Sequence, residues 1–409
     1  MKKFWFYIES YVFLSLKKNM AVLYNTLNGE IFEITDSDIL KIIRRLNTKK
    51  NHQIIMITEQ ELQISKINEF VNSLRNNYMG DLLDVSFSQK KPIQLIPYIK
   101  IHKDIHYLKE NQNQSTDTGI KNYLHELTIY FDNACSLNCS ICKDAFKQFT
   151  CCTKSISNEV IDLHKILGFL DVFKKQSLLI NIIGSQKNLL EFLENSNNKM
   201  GEYFSYNWYV HILNINKGIE SFTKFEKFKM HVIINEPGNK KYTEYIQIIR
   251  NSNLKVVYKF LIQNELDYIN TEKLIQQHEI VEYQIQPYFN GENNNFFKQN
   301  VFLNKEDLAE NKSTFKDILT NNKINKNYFG RLYILNNGDV QSNLHSKKLG
   351  QIDSDVKEML FSELDSQRSW RKLRKNCFPC KSCAYNLICP PISDLEQSIE
   401  TNNLCNIYE

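Results

Sequence analysis

The sequence predicts an α/β protein built on a partial (β/α)6 TIM-type barrel, with a small α+β domain before it and a cysteine-rich domain after it. Three observations support this fold class. Apolar, β-branched stretches alternate with helical stretches through the middle of the chain, which is the pattern of a parallel sheet. The first 90 residues instead show strands followed by helices. The ten cysteines fall into two groups, 135–152 and 377–405.

Composition limits the possible classes of function. The chain has 409 residues, of which 42% are hydrophobic and 24% charged, so it is globular and long enough for two or three domains. Its 51 basic and 46 acidic residues are spread without a basic block, so nucleic acid is not an expected partner. No apolar run reaches the ~18 residues of a membrane span. Glu9 and Ser10 interrupt the apolar N-terminal run, so we expect a cytoplasmic protein without a signal peptide or membrane contact.

The first domain is predicted over residues 1–90. Three aromatic and β-branched strands are expected there as a meander, at 4–16, 20–25 and 30–34. A helix capped by Asp36 or Ser37 and a second helix at 58–76 complete a winged-helix-like module. Such a module can accept a peptide as an added strand, and a plain packing domain is the alternative. A polar, irregular linker is predicted at 91–121.

The partial barrel is predicted over residues 122–322. Strands are expected at Leu127–Asp132, Leu178–Ile183, Trp208–Leu213, Met230–Ile234, Lys255–Leu261 and Val281–Pro287. Helices are expected at 157–175, 187–195, 218–228, 241–251, 271–277 and 305–319. Functional loops should lie at the carboxyl ends of these strands, and the first cysteine group follows the first strand. His231, on a strand, is expected to be a core or edge histidine rather than a ligand.

The last domain is predicted over residues 323–409. It begins with a hairpin whose turn is Asn336-Asn337-Gly338. The spacing C-x2-C-x2-C-x5-C follows, and a last cysteine stands near the chain end. Few apolar residues lie between these cysteines, so this domain is expected to need a metal in order to fold. Clustered cysteines at such spacings indicate metal binding in a reducing compartment rather than disulfides.

The first cysteine group has the spacing C-x3-C-x2-C at Cys135, Cys139 and Cys142. Three thiolates in a short loop can bind one soft metal centre and leave one position open for another ligand. A structural zinc site is the alternative, and Cys151 could complete it. Cys151 and Cys152 could also be a redox pair, extra ligands or a shielded thiol pair, and the sequence favours none of these.

The stretch NACSLNCSIC after a first barrel strand resembles the signature of radical S-adenosylmethionine (SAM) enzymes, and the terminal cysteines resemble the SPASM extension of peptide-modifying members. With FWFYIESYVFL, LYNTLNG, KQFTCC, NGENNNFF, NGDVQSN and LICPPISDLE, nearly the whole chain resembles the pseudo-radical-SAM/SPASM proteins of the GG-Bacteroidales peptide maturation system. The resemblance implies that the C-x3-C-x2-C cysteines hold a [4Fe-4S] cluster. Its fourth iron would bind SAM, which is cleaved to a 5′-deoxyadenosyl radical.

The resemblance also implies a SAM-binding stretch after the second strand, where Gly184 and Ser185 are the candidate cofactor-binding residues. The family has Gly-Gly-Glu there, and this chain lacks the carboxylate. Ile141 stands where the family has an aromatic residue close to the adenine. The assignment as an enzyme is therefore uncertain and leans toward a radical SAM peptide maturase, with no catalytic side chain assigned.

In the tail, the resemblance implies one auxiliary [4Fe-4S] cluster, for which a four-cysteine zinc site is the alternative. Its expected ligands are Cys380, Cys383, Cys389 and Cys405, and Cys377 is spare. Cysteines of a second auxiliary cluster are replaced by Asn343 and Ser393, and near Tyr328 or Phe329. That cluster is therefore interpreted as lost as a unit.

The function predicted from these features is that of a radical-SAM-type iron–sulfur protein in the post-translational maturation of a ribosomally made peptide. The expected cofactors are the two [4Fe-4S] clusters and SAM. The expected partners are a small precursor peptide and a second radical SAM maturase. Two alternatives are a catalytically inactive partner that binds peptide or maturase, and a zinc-stabilised interaction protein.

Overall fold

The computed structural model of the protein describes residues 2–88, 90–95, 110, 119–133, 135–153, 156–200, 203–366, 368–401 and 403–407. Most of the predicted linker 91–121 lies outside these residues. The described chain is a mixed α/β structure with one large, mostly parallel sheet and two small antiparallel sheets. None of the helices in the described part is long and apolar enough to span a membrane.

The N-terminal region forms two three-stranded sheets, in the orders β5-β1-β6 and β2-β3-β4. The strands are β1 Lys3–Ile8, β2 Val12–Leu16, β3 Ala21–Asn25, β4 Ile31–Ile34, β5 Ile54–Thr58 and β6 Gly80–Asp84. The helices are α1 Ser37–Leu46, α2 Glu59–Leu62 and α3 Ser65–Asn76, with a 3-10 turn at Lys49–Asn51. Asp36 caps α1, because its carboxylate accepts hydrogen bonds from the backbone of Asp38 and Ile39. The cap at Asp36 is thus confirmed.

The prediction of one strand over 4–16 is wrong. The chain turns at Glu9, whose carbonyl accepts a 2.9 Å hydrogen bond from the backbone N–H of Val12. β1 then pairs with β5 and β6, and β2 pairs with β3. Phe6 and Ile8 are fully buried in the core beneath α1 and α3, which explains why β1 lies at the centre of its own sheet. The winged-helix-like description stays a prediction.

The large sheet has nine strands in the order β12-β11-β10-β9-β8-β7-β13-β14-β15. The first six in sequence are parallel neighbours, as the βα pattern predicted. They are β7 Glu126–Tyr130, β8 Leu178–Ile183, β9 Phe204–His211, β10 Phe228–Ile234, β11 Val256–Ile262 and β12 Tyr283–Pro287. The parallel α/β sheet is confirmed, and its curl into a partial barrel stays a prediction.

The helices that accompany this sheet are α4 Ala145–Gln148, α5 Leu163–Asp171, α6 Gln186–Met200, α7 Tyr242–Asn251, α8 Glu265–Gln277, α9 Asn294–Asn300, α10 Lys305–Glu310 and α11 Phe315–Asn321. Single 3-10 turns occur at Ile120–Tyr123, Ser140–Lys143, Ile212–Asn214 and Ile219–Lys224. The predicted helix 218–228 is a shorter 3-10 helix at Ile219–Lys224, because β10 already begins at Phe228. The predicted helix 305–319 is two helices, and a capping box at Thr314 starts the second.

The two faces of the sheet differ in polarity. One face is apolar and carries the main core, including Leu127, Ile180 and Trp208. The opposite face carries a hydrogen-bonded polar row that runs across β7, β8 and β9. There the Asn181 amide donates to Glu126 Oε1 at 2.8 Å, and the Asn207 amide donates to Asn181 Oδ1 at 3.0 Å. Because side chains alternate along a strand, the polar face is the one that looks away from the helix-covered core.

The tail continues the same sheet. Its strands are β13 Arg331–Ile334, β14 Asp339–Gln341 and β15 Gly350–Gln351, and its helices are α12 Val356–Asp365 and α13 Asp394–Ser398. β13 pairs with β7 in parallel and with β14 in antiparallel fashion, so the sheet crosses the boundary predicted at 322/323. The predicted hairpin is confirmed, with Gly338 at φ +83° in its turn.

Candidate metal centres

The four tail cysteines predicted to bind metal line one small cavity. Cys380 begins a single 3-10 turn, Cys380–Ser382, Cys383 directly follows it, and Cys389 comes one loop later. Cys405 reaches the cavity because a parallel β-bridge joins it to Leu303. Three separate stretches of chain thus contribute these four thiols to the wall of one cavity. Cys377 lies outside the lining.

Hydrogen-bond donors point at three of these sulfurs. The backbone N–H of Tyr385 donates to Cys383 Sγ at 3.4 Å, and that of Ile407 donates to Cys405 Sγ at 3.2 Å. The Arg374 guanidinium lies 3.7 Å from Cys380 Sγ. Such donors orient thiolate ligands and tune the metal that they hold.

Burial controls the protonation of these thiols. It raises the pKa of Cys389 and Cys383, and the neighbouring cysteine sulfurs raise both further. Arg374 opposes the shift at Cys389. Without a metal the two thiols are therefore protonated near neutral pH. A bound metal would displace those protons, because only thiolates are ligands.

A buried ion pair anchors the cavity. Arg374 Nη2 lies 2.8 Å from Glu396 Oε1, and the two side chains are 10% and 4% exposed. Glu396 also accepts hydrogen bonds from the backbone of Ser393 at 2.8 Å and of Leu404 at 3.2 Å. The pair therefore connects Cys380, helix α13 and the chain end. Burial alone would lower the pKa of Arg374, but Glu396 and the nearby thiols raise it above its ordinary value.

Among the described residues, no group of three Cys, His, Asp or Glu side chains lies close enough in this arrangement to hold a metal ion. The tail donor set nevertheless suits one, because four soft sulfurs surround one cavity and three of them have N–H donors. Both a [4Fe-4S] cluster and tetrahedral zinc use four thiolates.

The tail positions that lack cysteine also meet in the fold. The Asn343 amide donates to Asp394 Oδ1 at 2.5 Å, and Asp394 directly follows Ser393, the N-cap of α13. Burial raises the pKa of Asp394 to about 6, although hydrogen bonds from Asn343 and Tyr328 lower it. Tyr328 in turn accepts a hydrogen bond from Gln397. In this chain, one hydrogen-bonded polar network joins these positions.

The first cysteine loop lies at the carboxyl ends of the parallel strands. Cys135 lines a cavity of about 190 Å³ together with Gly184 and Ser185, the predicted cofactor-binding residues. The Asn214 amide, after β9, donates to Cys135 Sγ at 2.9 Å. Cys139 lies outside the lining of this cavity, and burial together with the nearby cysteine sulfurs raises its pKa to about 12.

Asp132 supplies a carboxylate that the sequence analysis missed. It lines the cavity at the end of β7 and accepts hydrogen bonds from Ser185 N at 3.0 Å, Ser185 Oγ at 2.8 Å and Asn188 Nδ2 at 2.7 Å. It therefore holds the start of α6. Gly184 allows this contact, since a Cβ there would lie 2.8 Å from Phe131 Cβ. The position of Asp132 at the carboxyl end of the first barrel strand was the feature of the sequence that could have indicated this role.

Ile141 does not line this cavity, although Ile183 and Tyr209 of the apolar cluster around it do. It is 3% exposed and packs in an apolar cluster beside Tyr130, Ile183 and Tyr209, on the face of the sheet opposite the main core. Cys151 is fully buried in the same cluster. Ile141, at the position where the family has an aromatic residue close to the adenine, is therefore part of a buried apolar cluster in this chain.

His231 is a buried histidine, as predicted. Its ring stacks on Tyr209 with centroids 4.5 Å apart, and Lys259 Nζ lies 4.7 Å from the Tyr209 centroid. Neither ring nitrogen has a hydrogen-bond partner within the described part of the chain. Burial, with the charges of Lys259 and Lys229, lowers the pKa of His231 to about 3, so the imidazole is neutral.

This shift predicts an acid dependence of stability. Between pH 6.5 and about 3 the unfolded chain binds a proton at His231 that the folded chain does not, so stability falls as pH falls. His231→Phe keeps a ring against Tyr209 and removes this term. The difference in free energy of unfolding, His231→Phe minus wild type, should be about 2 kcal/mol larger at pH 5 than at pH 7. Urea unfolding at both pH values measures it, and parallel profiles would contradict it.

Comparisons with known proteins add the following. No protein-family model matches the chain, and no curated protein matches its sequence. The chain is similar to the solved structure "native anSMEcpe with bound AdoMet", with a TM-score of 0.48 and 13% identity, over 68% of this chain and 95% of that one. It is also similar to "native anSMEcpe with bound AdoMet and Cp18Cys peptide", with a TM-score of 0.46 and 12% identity, over 68% and 96%.

Proposed function

We propose that this chain is a radical-SAM-type iron–sulfur protein that acts in the maturation of a ribosomally made peptide. The observation that carries the iron–sulfur assignment is the arrangement of four thiols from three stretches around one cavity in the tail. That donor set is the ligand set of a [4Fe-4S] cluster. The reaction class and the peptide follow from the resemblance of the cysteine loop and the tail to radical SAM/SPASM proteins.

At the first loop, Cys135, Cys139 and Cys142 would hold the second cluster. Such a cluster, when one of its irons is open, supplies the electron that cleaves bound SAM. The chain contributes the Asn214 amide on Cys135 Sγ and the close backbone approach at Gly184. These contacts support placement of a cluster at the carboxyl edge of the sheet.

A second candidate function is that of a catalytically inactive partner of a maturase. Two observations favour it. The Asp132 carboxylate, which faces the cavity, already accepts three hydrogen bonds from its own chain. Ile141 is buried against the sheet rather than lining the cavity. Both features reduce what the site could offer to the ammonium and adenine groups of SAM.

The N-terminal domain is the proposed peptide-binding element, through an edge of the β2-β3-β4 sheet. This sheet contacts the tail directly. Tyr24 and Val22 pack against Ile388 and Cys389, and the Tyr24 hydroxyl accepts a 2.8 Å hydrogen bond from Ser313 N. A peptide added to this sheet would therefore bind close to the tail cavity.

Anaerobic purification tests the proposal. Wild-type protein should be brown, absorb near ~400 nm and carry about eight irons per chain, whereas Cys135→Ala should carry about four. SAM and dithionite are then added with and without a precursor peptide. Formation of 5′-deoxyadenosine by wild type and not by Cys135→Ala identifies an enzyme. No product from iron-loaded wild type identifies the partner role, and a colourless zinc protein would contradict the proposal.

A further inference from the structure

We propose that the free edge of strand β12 binds an extended, basic segment of a partner peptide, which joins the large sheet as an additional strand. β12 lies at one end of that sheet and, among the described residues, pairs only with β11. Such binding goes beyond the proposed function, because it does not require that the chain binds SAM or a metal. It also uses a different edge from that of the β2-β3-β4 sheet.

Every second residue of β12 uses its backbone to bond β11. The backbone N–H of Tyr258 donates to the Glu282 carbonyl at 3.0 Å, and that of Tyr288 donates to the Ile262 carbonyl at 2.8 Å. In a parallel pair, the residues between two such positions direct their N–H and C=O groups to the other side of the strand. The backbone of these intervening residues therefore faces away from β11.

Tyr283 and Ile285 are two of the intervening residues, so their backbone donors and acceptors are left for another strand. Pro287 has no N–H, and it ends the stretch with which a partner strand could pair. Edge strands often carry lysines that prevent pairing with other chains, and β12 carries none. A partner strand would thus pair along residues 281–286.

Apolar side chains stay exposed at this edge. Val281 is 88% exposed and Tyr283 is 44% exposed, although the Tyr283 ring also packs against Phe260 with centroids 6.5 Å apart. Tyr268 of helix α8 is 41% exposed. Its pKa is raised first by a hydrogen bond to Glu272 and also by Tyr283, so α8 lies beside the strand. Exposed apolar groups next to an unpaired edge are typical of a surface that a partner covers.

The chain around the edge is acidic. Between residues 263 and 292 Lys273 is basic, and six residues are acidic, Glu265, Asp267, Glu272, Glu279, Glu282 and Glu292. Two cations come from the neighbouring strands, and both are engaged. Lys229 Nζ lies 2.8 Å from Glu282 Oε2, and Lys259 Nζ lies over the ring of Tyr209. The edge therefore favours a positively charged partner.

This charge decides between the possible occupants of the edge. A second copy of the chain would bring two identical acidic edges together, and like charges that face each other across paired strands are destabilising. An acidic peptide would meet the same repulsion. A basic peptide with apolar side chains complements both the carboxylates and the exposed Val281 and Tyr283.

Hydrogen–deuterium exchange of the full-length protein tests the proposal, read by mass spectrometry on the fragment that contains residues 281–287. The probe is a short synthetic peptide of alternating lysine and valine, and a peptide of alternating glutamate and valine is its counterpart. We expect the lysine peptide to slow exchange in this fragment, because the N–H groups of Tyr283 and Ile285 become hydrogen-bonded. The glutamate peptide should leave the exchange unchanged.

Two variants and a matched control test the position, with fluorescence anisotropy of the labelled lysine peptide as the measurement. Ile285→Pro removes one N–H from the free edge and should weaken binding about fivefold. Val281→Lys adds a cation at a side chain that is 88% exposed and should weaken binding about threefold without affecting the fold. Leu27→Lys makes the same kind of change at a side chain of the N-terminal domain that is 67% exposed, and it should leave binding unchanged.

Several results would overturn the proposal. They are equal binding of the two peptides, equal weakening by Val281→Lys and Leu27→Lys, and slowed exchange only in fragments of the β2-β3-β4 sheet. Slow exchange in the 281–287 fragment without any peptide would show that the edge is already covered. If that protection rises with protein concentration, the occupant is a second copy. None of these measurements depends on iron, so each result leaves the proposed function untouched.

Discussion

Replacing Cys383 or Cys405 by alanine should remove about four of about eight irons per chain and unfold the tail. Each residue contributes one of four sulfurs around the tail cavity, and Cys405 also ends the chain segment that bridges to Leu303. Tyr385, Ile388 and Ile392 between these cysteines are buried, so the bound cluster adds to this apolar packing in stabilising the fold of the tail. Iron assay and limited proteolysis measure the two effects.

Cys377→Ala is the matched control for this prediction. Cys377 belongs to the same cysteine run and is half-buried, but it lies outside the cavity lining. The Cys377→Ala protein should retain its full iron content and its resistance to proteolysis. Iron loss in Cys377→Ala as large as in Cys383→Ala would show that the ligand set is wrong.

Replacing Arg374 by methionine should destabilise the protein by about 3–5 kcal/mol. The change leaves the Glu396 carboxylate buried without its cation, at 4% exposure of the side chain. It also removes the donor 3.7 Å from Cys380 Sγ. Since Glu396 holds the backbone of Ser393 and Leu404, the chain end that carries Cys405 should loosen first. Urea unfolding of the iron-loaded protein measures the loss.

An exposed pair gives the matched comparison. Lys224 Nζ lies 2.7 Å from Glu194 Oε1, but their side chains are 52% and 51% exposed. Lys224→Met should therefore cost less than about 1 kcal/mol, because solvent screens such pairs. Equal destabilisation in the two methionine variants would mean that burial of the Arg374 pair is not the cause.

Much of the fold could be predicted from the local hydrophobic pattern of the sequence. Strand β8 was predicted with its observed ends, because a run of six apolar or amide residues between polar segments has few alternatives. The N-terminal strands were harder. The run from Phe4 to Leu16 has no Gly or Pro at its turn, and β1 separates from β2 because two later strands pair with it. The local sequence pattern does not show that β1 pairs with β5 and β6.

Spacing along the chain predicted that the tail cysteines bind metal, and the resemblance implied which four of them are the ligands. Short C-x2-C and C-x5-C separations limit how far apart the chain can carry the sulfurs from Cys377 to Cys389, but they do not exclude Cys377 and do not include Cys405. The same spacing rule identified Cys135, Cys139 and Cys142. Both ligand sets were predicted without knowledge of the packing, and both stay predictions.

Tertiary structure alone decided which way neighbouring side chains point. Cys151 is buried inside the apolar cluster of Tyr130 and Ile183, whereas Cys152 packs against that cluster and also lines the cavity. Asp132, after β7, accepts a hydrogen bond from Ser185, after the neighbouring strand β8. Asn343 donates one to Asp394 from a different part of the tail. Chain length constrains distance only between near neighbours in sequence, whereas the direction of a side chain depends on how the whole backbone packs. The sequence by itself therefore predicted the two sets of thiols, and the fold decided which further groups lie beside them.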